Sequence, residues 1–121
     1  MDKNKIVLII DDDQNNIFAL KLALKSRGFQ AIGCLSAREG IAELETNDSI
    51  GLVLMDMMMP EIDGYEATHL IRKSWTAEQL PIIAVTAQAM SGDREKCLAA
   101  GANGYISKPI DIELLVQMIE R

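Results

Sequence analysis

Three adjacent carboxylates, Asp11, Asp12 and Asp13, follow the apolar run Ile6–Ile10. Like charges packed this closely repel one another and are tolerated best where a cation shares them. Hard oxygen donors with room for water and phosphate suit Mg²⁺, or Mn²⁺ in its place; Mg²⁺ usually takes only one or two protein carboxylates. The triple alone supports a second reading equally well: Asp13 or Gln14 is a helix N-cap and the other acids are solvated. Three further apolar runs stop on residues able to handle phosphate or metal: 51–55 before Asp56, 82–85 before Thr86 and 105–107 before Lys108. Asp56 moves the balance toward a metal, because it places another carboxylate at the end of a second buried run. An aspartate beside a bound cation can attack phosphorus and form an acyl phosphate. The Thr86 hydroxyl and the Lys108 ammonium would then serve the phosphate oxygens away from the metal, one as a hydrogen-bond donor and the other as a point charge. Taken singly, each of these two is an ordinary surface residue.

Such residues converge only if a fold brings them together, and an open parallel sheet does so, because the carboxyl ends of its strands share one edge. The runs Ile6–Ile10, 30–35, 51–55, 82–85 and Gly104–Ser107 are mostly continuous in apolarity, which suits strands covered on both faces. Helix-period segments separate them. Ile17, Leu20 and Leu24 recur at three- and four-residue spacing in 15–27, and Gly28 can close that helix in the left-handed conformation. Ser36 is the expected N-cap of a second helix through Ile41 and Leu44, with Asn47-Asp48 as its exit. A third helix is predicted over 64–74, with Ala67, Leu70 and Ile71 on one stripe. Ser91 and Asp93 open a fourth that ends near Gly101 and turns Cys97, Leu98 and Ala99 inward, and Asp111 caps a fifth through Leu114, Leu115 and Met118. Five βα units with right-handed crossovers predict an α/β fold, a three-layer α/β/α sandwich over a five-stranded parallel sheet.

The loop after Asp56 carries its own shaping residues. Pro60 fixes φ, and Asp63-Gly64 precedes the helix, so the segment can be held in one geometry. Met55, Met57, Met58 and Met59 read as flexible thioethers filling core gaps rather than as a ligand site. The Lys108-Pro109 bond is a candidate for the cis form, which would aim the amine inward.

Composition narrows the function. At 121 residues the chain predicts one domain, 1–121, and its 49% hydrophobic and 25% charged fractions are those of a soluble globular protein. No apolar run approaches the roughly 18 residues of a membrane span, and no basic leader precedes an apolar signal core, so the expectation is a cytoplasmic chain without membrane contact. A net charge of −6 disfavours direct nucleic-acid binding, which draws on clustered Lys and Arg. Cys34 and Cys97 are read as buried thiols, neither a disulfide framework nor a zinc motif. His69, on the third helix, and Trp75, at its exit, are given structural roles.

In order along the chain, Asp11-Asp12, Asp56 with Met59-Pro60 and Asp63-Gly64, Thr86-Ala87, and Tyr105 with Lys108-Pro109 resemble the receiver domain of two-component response regulators, CheY-like in type. The resemblance spans nearly the whole chain and its motifs are specific as a set. It implies a flavodoxin-like sheet of strand order 2-1-3-4-5. It further implies that Asp56 is the phosphoacceptor, and that Asp12, Asp56 and the backbone carbonyl of Met58 hold Mg²⁺ (or Mn²⁺), with Asp11 helping mainly through water. Thr86 and Lys108 would contact the phosphoryl group, and Tyr105 would be the aromatic whose rotamer reports it. Met58 and Gln88 would sit at the two positions that tune phosphoryl loss. Asp13 receives no role there beyond capping or solvation. The implied partners are a histidine kinase or histidine phosphotransfer domain, together with a downstream protein that the sequence does not name. The implied state is a monomer or weak dimer acting as a signalling switch rather than an enzyme. The stretches 55–60, 86–90 and 92–97 also resemble receivers of hybrid sensor histidine kinases.

Two other classes stand beside this one. A metal-dependent phosphohydrolase would use Asp11 as nucleophile and Asp13 as acid/base partner, although such enzymes usually need a cap for which this chain has no length. A phosphate-independent interaction module would leave the acceptor set idle.

Overall fold

The structure is a computed structural model that describes residues 4–87 and 92–120. Its elements alternate along the chain: β1 (Ile6–Ile10), α1 (Gln14–Ser26), β2 (Gln30–Cys34), α2 (Ala37–Thr46), β3 (Ile50–Asp56), α3 (Gly64–Arg72), β4 (Ile82–Thr86), α4 (Asp93–Ala100), β5 (Gly104–Ser107) and α5 (Ile112–Glu120). All strand pairs are parallel, and the sheet order is β2-β1-β3-β4-β5, as the resemblance implies. Strand order reverses beside β1, between β1 and β3, so the crevice at their carboxyl ends is the switch point of the sheet.

Two apolar layers hold the helices on. On one face Leu8, Ile10, Val53, Met55, Ile82 and Ala84 pack under α2, α3 and α4 through Ala37, Leu44, Ala67, Ile71 and Cys97. On the other, Val7, Ile9, Leu52, Leu54, Ile83 and Val85 meet Ile17, Leu20 and Leu24 of α1 and Leu115 and Ile119 of α5. Each fully buried Val, Leu, Ile or Met side chain among them contributes roughly 1.5–3 kcal/mol. Alternating side chains feed opposite layers, which is why these strands are apolar throughout.

The caps follow the sequence closely. Asp13 Oδ1 accepts from Asn15 N and Asn16 N at α1, Ser36 Oγ from Glu39 N at α2, Asp63 Oδ1 from Glu66 N at α3, and Asp111 Oδ1 from Glu113 N and Leu114 N at α5. Gly28 takes φ 87 just beyond α1, a conformation that only glycine adopts without strain.

Other expectations are corrected. The helix before Gly101 turns only Cys97 inward; Leu98 is 39% exposed and Ala99 is exposed, because α4 is eight residues long and touches the sheet along one narrow line. Gly92, with no side-chain cap bond, stands at its N-terminus, and Ser91 lies outside the described residues. Leu114 of α5 is exposed, while Leu115 is fully buried. Cys34 is half-buried rather than buried, whereas Cys97 is buried as expected. As expected of residues without a chemical role, Trp75 packs partly against the core and His69 is exposed. Among the described residues, no helix is long and apolar enough to cross a membrane.

Candidate functional site

β1 and β3 lie side by side in the middle of the sheet, with Ile10 opposite Met55, so the residues that follow them emerge next to one another. Asp11 and Asp56 are each 3% exposed and Asp12 is exposed. Single oxygens from Asp11, Asp12 and Asp56 lie within 4.8 Å of one another, close enough to share one ion. The donor set is hard oxygen throughout, which fits a divalent cation such as Mg²⁺.

Each buried carboxylate is held by the turn it belongs to. Asp11 Oδ1 accepts from the amide of Asp13 at 2.9 Å, and its Oδ2 accepts from Asn16 Nδ2 at 2.6 Å. Asp56 Oδ1 accepts from the amide of Met58 at 3.0 Å. Lys108 reaches across from the end of β5, its Nζ 3.6 Å from both Asp11 Oδ2 and Asp56 Oδ2. One ammonium therefore bridges two buried acids, and a negative charge remains on the cluster. Burial pushes the Asp56 carboxyl up from 3.8 to about 6; the Met58 amide and Lys108 oppose this, and Asp11 reinforces it. A group that resists its own ionisation here favours an added positive charge.

Thr86 ends β4 and is buried, and its carbonyl accepts from the Lys108 amide at 2.8 Å, so the ends of β4 and β5 are tied together at this edge. The Lys108-Pro109 peptide is cis. Tyr105 is half-buried on β5, paired with Ala84 and packed on the face that carries α4. The structure thus brings Asp11, Asp12, Asp56, Thr86 and Lys108 to one edge and sets Tyr105 three residues before Lys108. Asp13 is exposed and caps α1, and it is not among the three acids whose oxygens lie within 4.8 Å of one another. Gln88 lies outside the described residues. Met58 departs from the core role expected of it, being 56% exposed where Met55 and Met57 are sealed at 0% and 1%. Its neighbours Met57 and Met59 both stay in the core, so the loop after β3 turns this one side chain outward.

Two contributors, Asn16 and Glu61, escaped the sequence reading, and Gly64 was read only as shaping the loop. Asn16 steadies Asp11, and its only signal was a position on the first turn of the helix that follows. Gly64 lies so close to the acceptor loop that a Cβ there would meet the Asp56 carbonyl oxygen and Met57 Cα, each at 2.5 Å. Glu61 takes φ 63, a left-handed conformation in the turn between Asp56 and α3.

A family model described as the response regulator receiver domain matches residues 7–120. The chain belongs to that family. It is 33% identical over 116 residues to the polar-differentiation response regulator DivK of Brucella ovis, covering 96% of this chain and 94% of DivK. It is 31% identical over 135 residues to "Probable histidine kinase 6" of Oryza sativa subsp. japonica, where 97% of this chain corresponds to 14% of the plant protein. The response regulator receiver protein from Pseudomonas putida superposes with a TM-score of 0.88 at 30% identity, covering 99% of this chain and 98% of that one. Receiver domains are signalling switches of two-component systems and pair with histidine kinases.

Proposed function

We propose that this receiver accepts a phosphoryl group on Asp56 from a phosphohistidine of a partner kinase or phosphotransfer domain, and that the modification changes a protein-binding surface. The observation that carries the reading is the convergence of Asp11, Asp12 and Asp56 within 4.8 Å, with Lys108 3.6 Å from the two buried acids. Asp11, Asp12, Asp56 and the Met58 carbonyl would hold Mg²⁺ (or Mn²⁺), which supplies positive charge opposite the phosphoryl oxygens when bound. An Asp56 oxygen attacks phosphorus; the P–N bond of the donor breaks, its electron pair stays on the imidazole, and an O–P bond forms on Asp56. Lys108 neutralises the transferred oxygens and Thr86 donates a hydrogen bond to them. The phosphoryl group adds about −1.5 to −2 charge, which the Asp11 and Asp12 carboxylates oppose and Lys108 offsets.

The change would reach the surface through Thr86 and Tyr105: Thr86 moves toward the phosphate and Tyr105 takes the space it leaves. Moving such a switch from 1:99 to 99:1 needs about 5.5 kcal/mol of differential stabilisation. A few charge-assisted hydrogen bonds, at about 1.5–3 kcal/mol each, supply it. The cytoplasm is the proposed location, and the output passes through protein contacts rather than nucleic acid. Incubation with acetyl phosphate and Mg²⁺ should add one phosphoryl group by intact mass. Asp56→Asn should abolish it, and labelling that persists in this variant removes the assignment.

A further inference from the structure

Four methionines border the acceptor, and their surroundings differ. Met55 and Met57 are 0% and 1% exposed and Met59 is 8% exposed, all three within the core, while Met58 is 56% exposed. Oxidation of a thioether requires its sulfur to meet the oxidant, so burial protects three of these residues and leaves the fourth open. Met58 is also the residue whose amide donates to Asp56 Oδ1 at 3.0 Å. The exposed thioether therefore grows from the backbone unit that touches the acceptor. With three rotatable bonds, it can sweep the space in front of that carboxylate.

We propose that Met58 is a modification site: an oxidant of the peroxide class converts its thioether to the sulfoxide and so shortens the life of a phosphoryl group on Asp56. The sulfur lone pair attacks one peroxide oxygen, the O–O bond breaks and an S–O bond forms. Sulfur loses two electrons, and the second oxygen leaves with both hydrogens as water. Before oxidation, the side chain beside the acceptor is apolar and gives water little to hold. Afterwards it carries a strong acceptor oxygen that can orient water toward phosphorus, and reduction of the sulfoxide restores the first state. The regulatory half of the inference rests on the phosphoacceptor reading of Asp56. The identity of the oxidised residue does not.

The test treats the full chain with a small excess of hydrogen peroxide and locates added oxygen by fragment mass spectrometry, which separates all seven methionines. Met58 should oxidise well ahead of Met55, Met57 and Met59; equal rates among the four overturn the proposal. Protein with and without peroxide treatment is then loaded with acetyl phosphate and Mg²⁺, freed of both, and followed by intact mass. Oxidised protein should lose its phosphoryl group several-fold faster, and Met58→Leu should show the same rate before and after peroxide. An equal lifetime in oxidised and untreated wild-type protein overturns the regulatory role, as does a peroxide effect that survives in Met58→Leu. If untreated protein takes no phosphoryl group, the reading of Asp56 fails and the regulatory half with it, while the map still decides which methionine is modified.

Discussion

The two edges of the sheet are built on opposite terms. At the edge where the strands begin, Arg72 at the end of α3 meets five neutral acceptors. These are the carbonyls of Gly101 and Leu80 at 2.8 Å, Thr76 at 3.2 Å and Trp75 at 3.3 Å, and Asn103 Oδ1 at 2.7 Å. Asn103 Oδ1 also accepts from the Ile82 amide at 3.0 Å, and Asn103 Nδ2 donates to the Ala77 carbonyl at 3.1 Å. At the opposite edge, charge faces charge. Two buried acids share one lysine at 3.6 Å, and burial lifts Asp56 to about 6. Dipoles satisfied all round hold a scaffold still, whereas unbalanced charge leaves a place where a ligand gains more than it disturbs. The difference marks one edge as support and the other as site.

Removing the support tests that division most severely. Arg72→Ala removes a donor from five acceptors at once, of which Asn103 Oδ1 and the Thr76 carbonyl keep another, and frees the α3–β4 loop from the exit of α4. We expect a loss of about 3–4 kcal/mol in urea denaturation. Phosphoryl acceptance by the fraction that remains folded should persist, because the acidic cluster lies at the far ends of the strands. A loss below about 0.5 kcal/mol, the level of an ordinary surface substitution, would mean that the Arg72 hub holds nothing together.

Gly64→Ala attacks the join between scaffold and site. The added Cβ would fall 2.5 Å from the Asp56 carbonyl oxygen and 2.5 Å from Met57 Cα, and both are backbone atoms that cannot swing aside. Overpacking of this kind costs about 2–3 kcal/mol, and the displaced loop should also accept phosphoryl more slowly. An unchanged labelling rate alongside lost stability would show that the acceptor keeps its geometry when the loop beneath it moves.

The acidic edge was readable from the sequence because each of its residues sits where an apolar run stops, and strand ends of a parallel sheet converge by construction. The supporting edge was not, because Arg72 reaches acceptors 29 and 31 residues away at Gly101 and Asn103, a separation that no local pattern carries. The helices followed the same rule. The helix α1, with its buried stripe Ile17, Leu20 and Leu24, was placed to within a residue, while α4 buries Cys97 alone and misled the assignment of Leu98 and Ala99. Met58 misled for a related reason: with four methionines in the five positions 55–59, composition suggests core filling, and no local pattern marks the one that the loop turns outward while Met57 and Met59 on either side stay buried.

Asp56 carries the unbalanced charge, so neutralising it should stabilise the metal-free protein. The carboxyl titrates near 3.8 when unperturbed and near about 6 in the fold. Between those values the folded chain holds the extra proton, so stability falls as pH rises; above 6 the full penalty is present, and below 3.8 none of it is. The shift sets a ceiling of about 3 kcal/mol. Asn forfeits the attraction to Lys108, so we expect Asp56→Asn to gain about 1–2 kcal/mol at pH 7 and to flatten the slope between pH 4 and 6. Mg²⁺ should stabilise the wild type above pH 6, rising as the logarithm of its concentration once that exceeds Kd, and Asp56→Asn much less. Parallel wild-type and variant profiles across that window would show that the buried charge is already compensated, and the contrast between the edges would lose its basis.

Glu61 offers the finest test, because it separates strain from charge at the same edge. It is exposed and held at φ 63, where an L-residue is disfavoured by roughly 1–2 kcal/mol. Glycine escapes that penalty but gives the unfolded chain more freedom. Glu61→Gly should therefore raise stability by about 0.5–1 kcal/mol in thermal denaturation. The labelling rate then decides what the strain is for. An unchanged rate places it in the connection to α3 alone, whereas slower labelling in the stabler variant would make the left-handed turn part of how Asp56 is presented, and strain would join charge as a mark of the working edge.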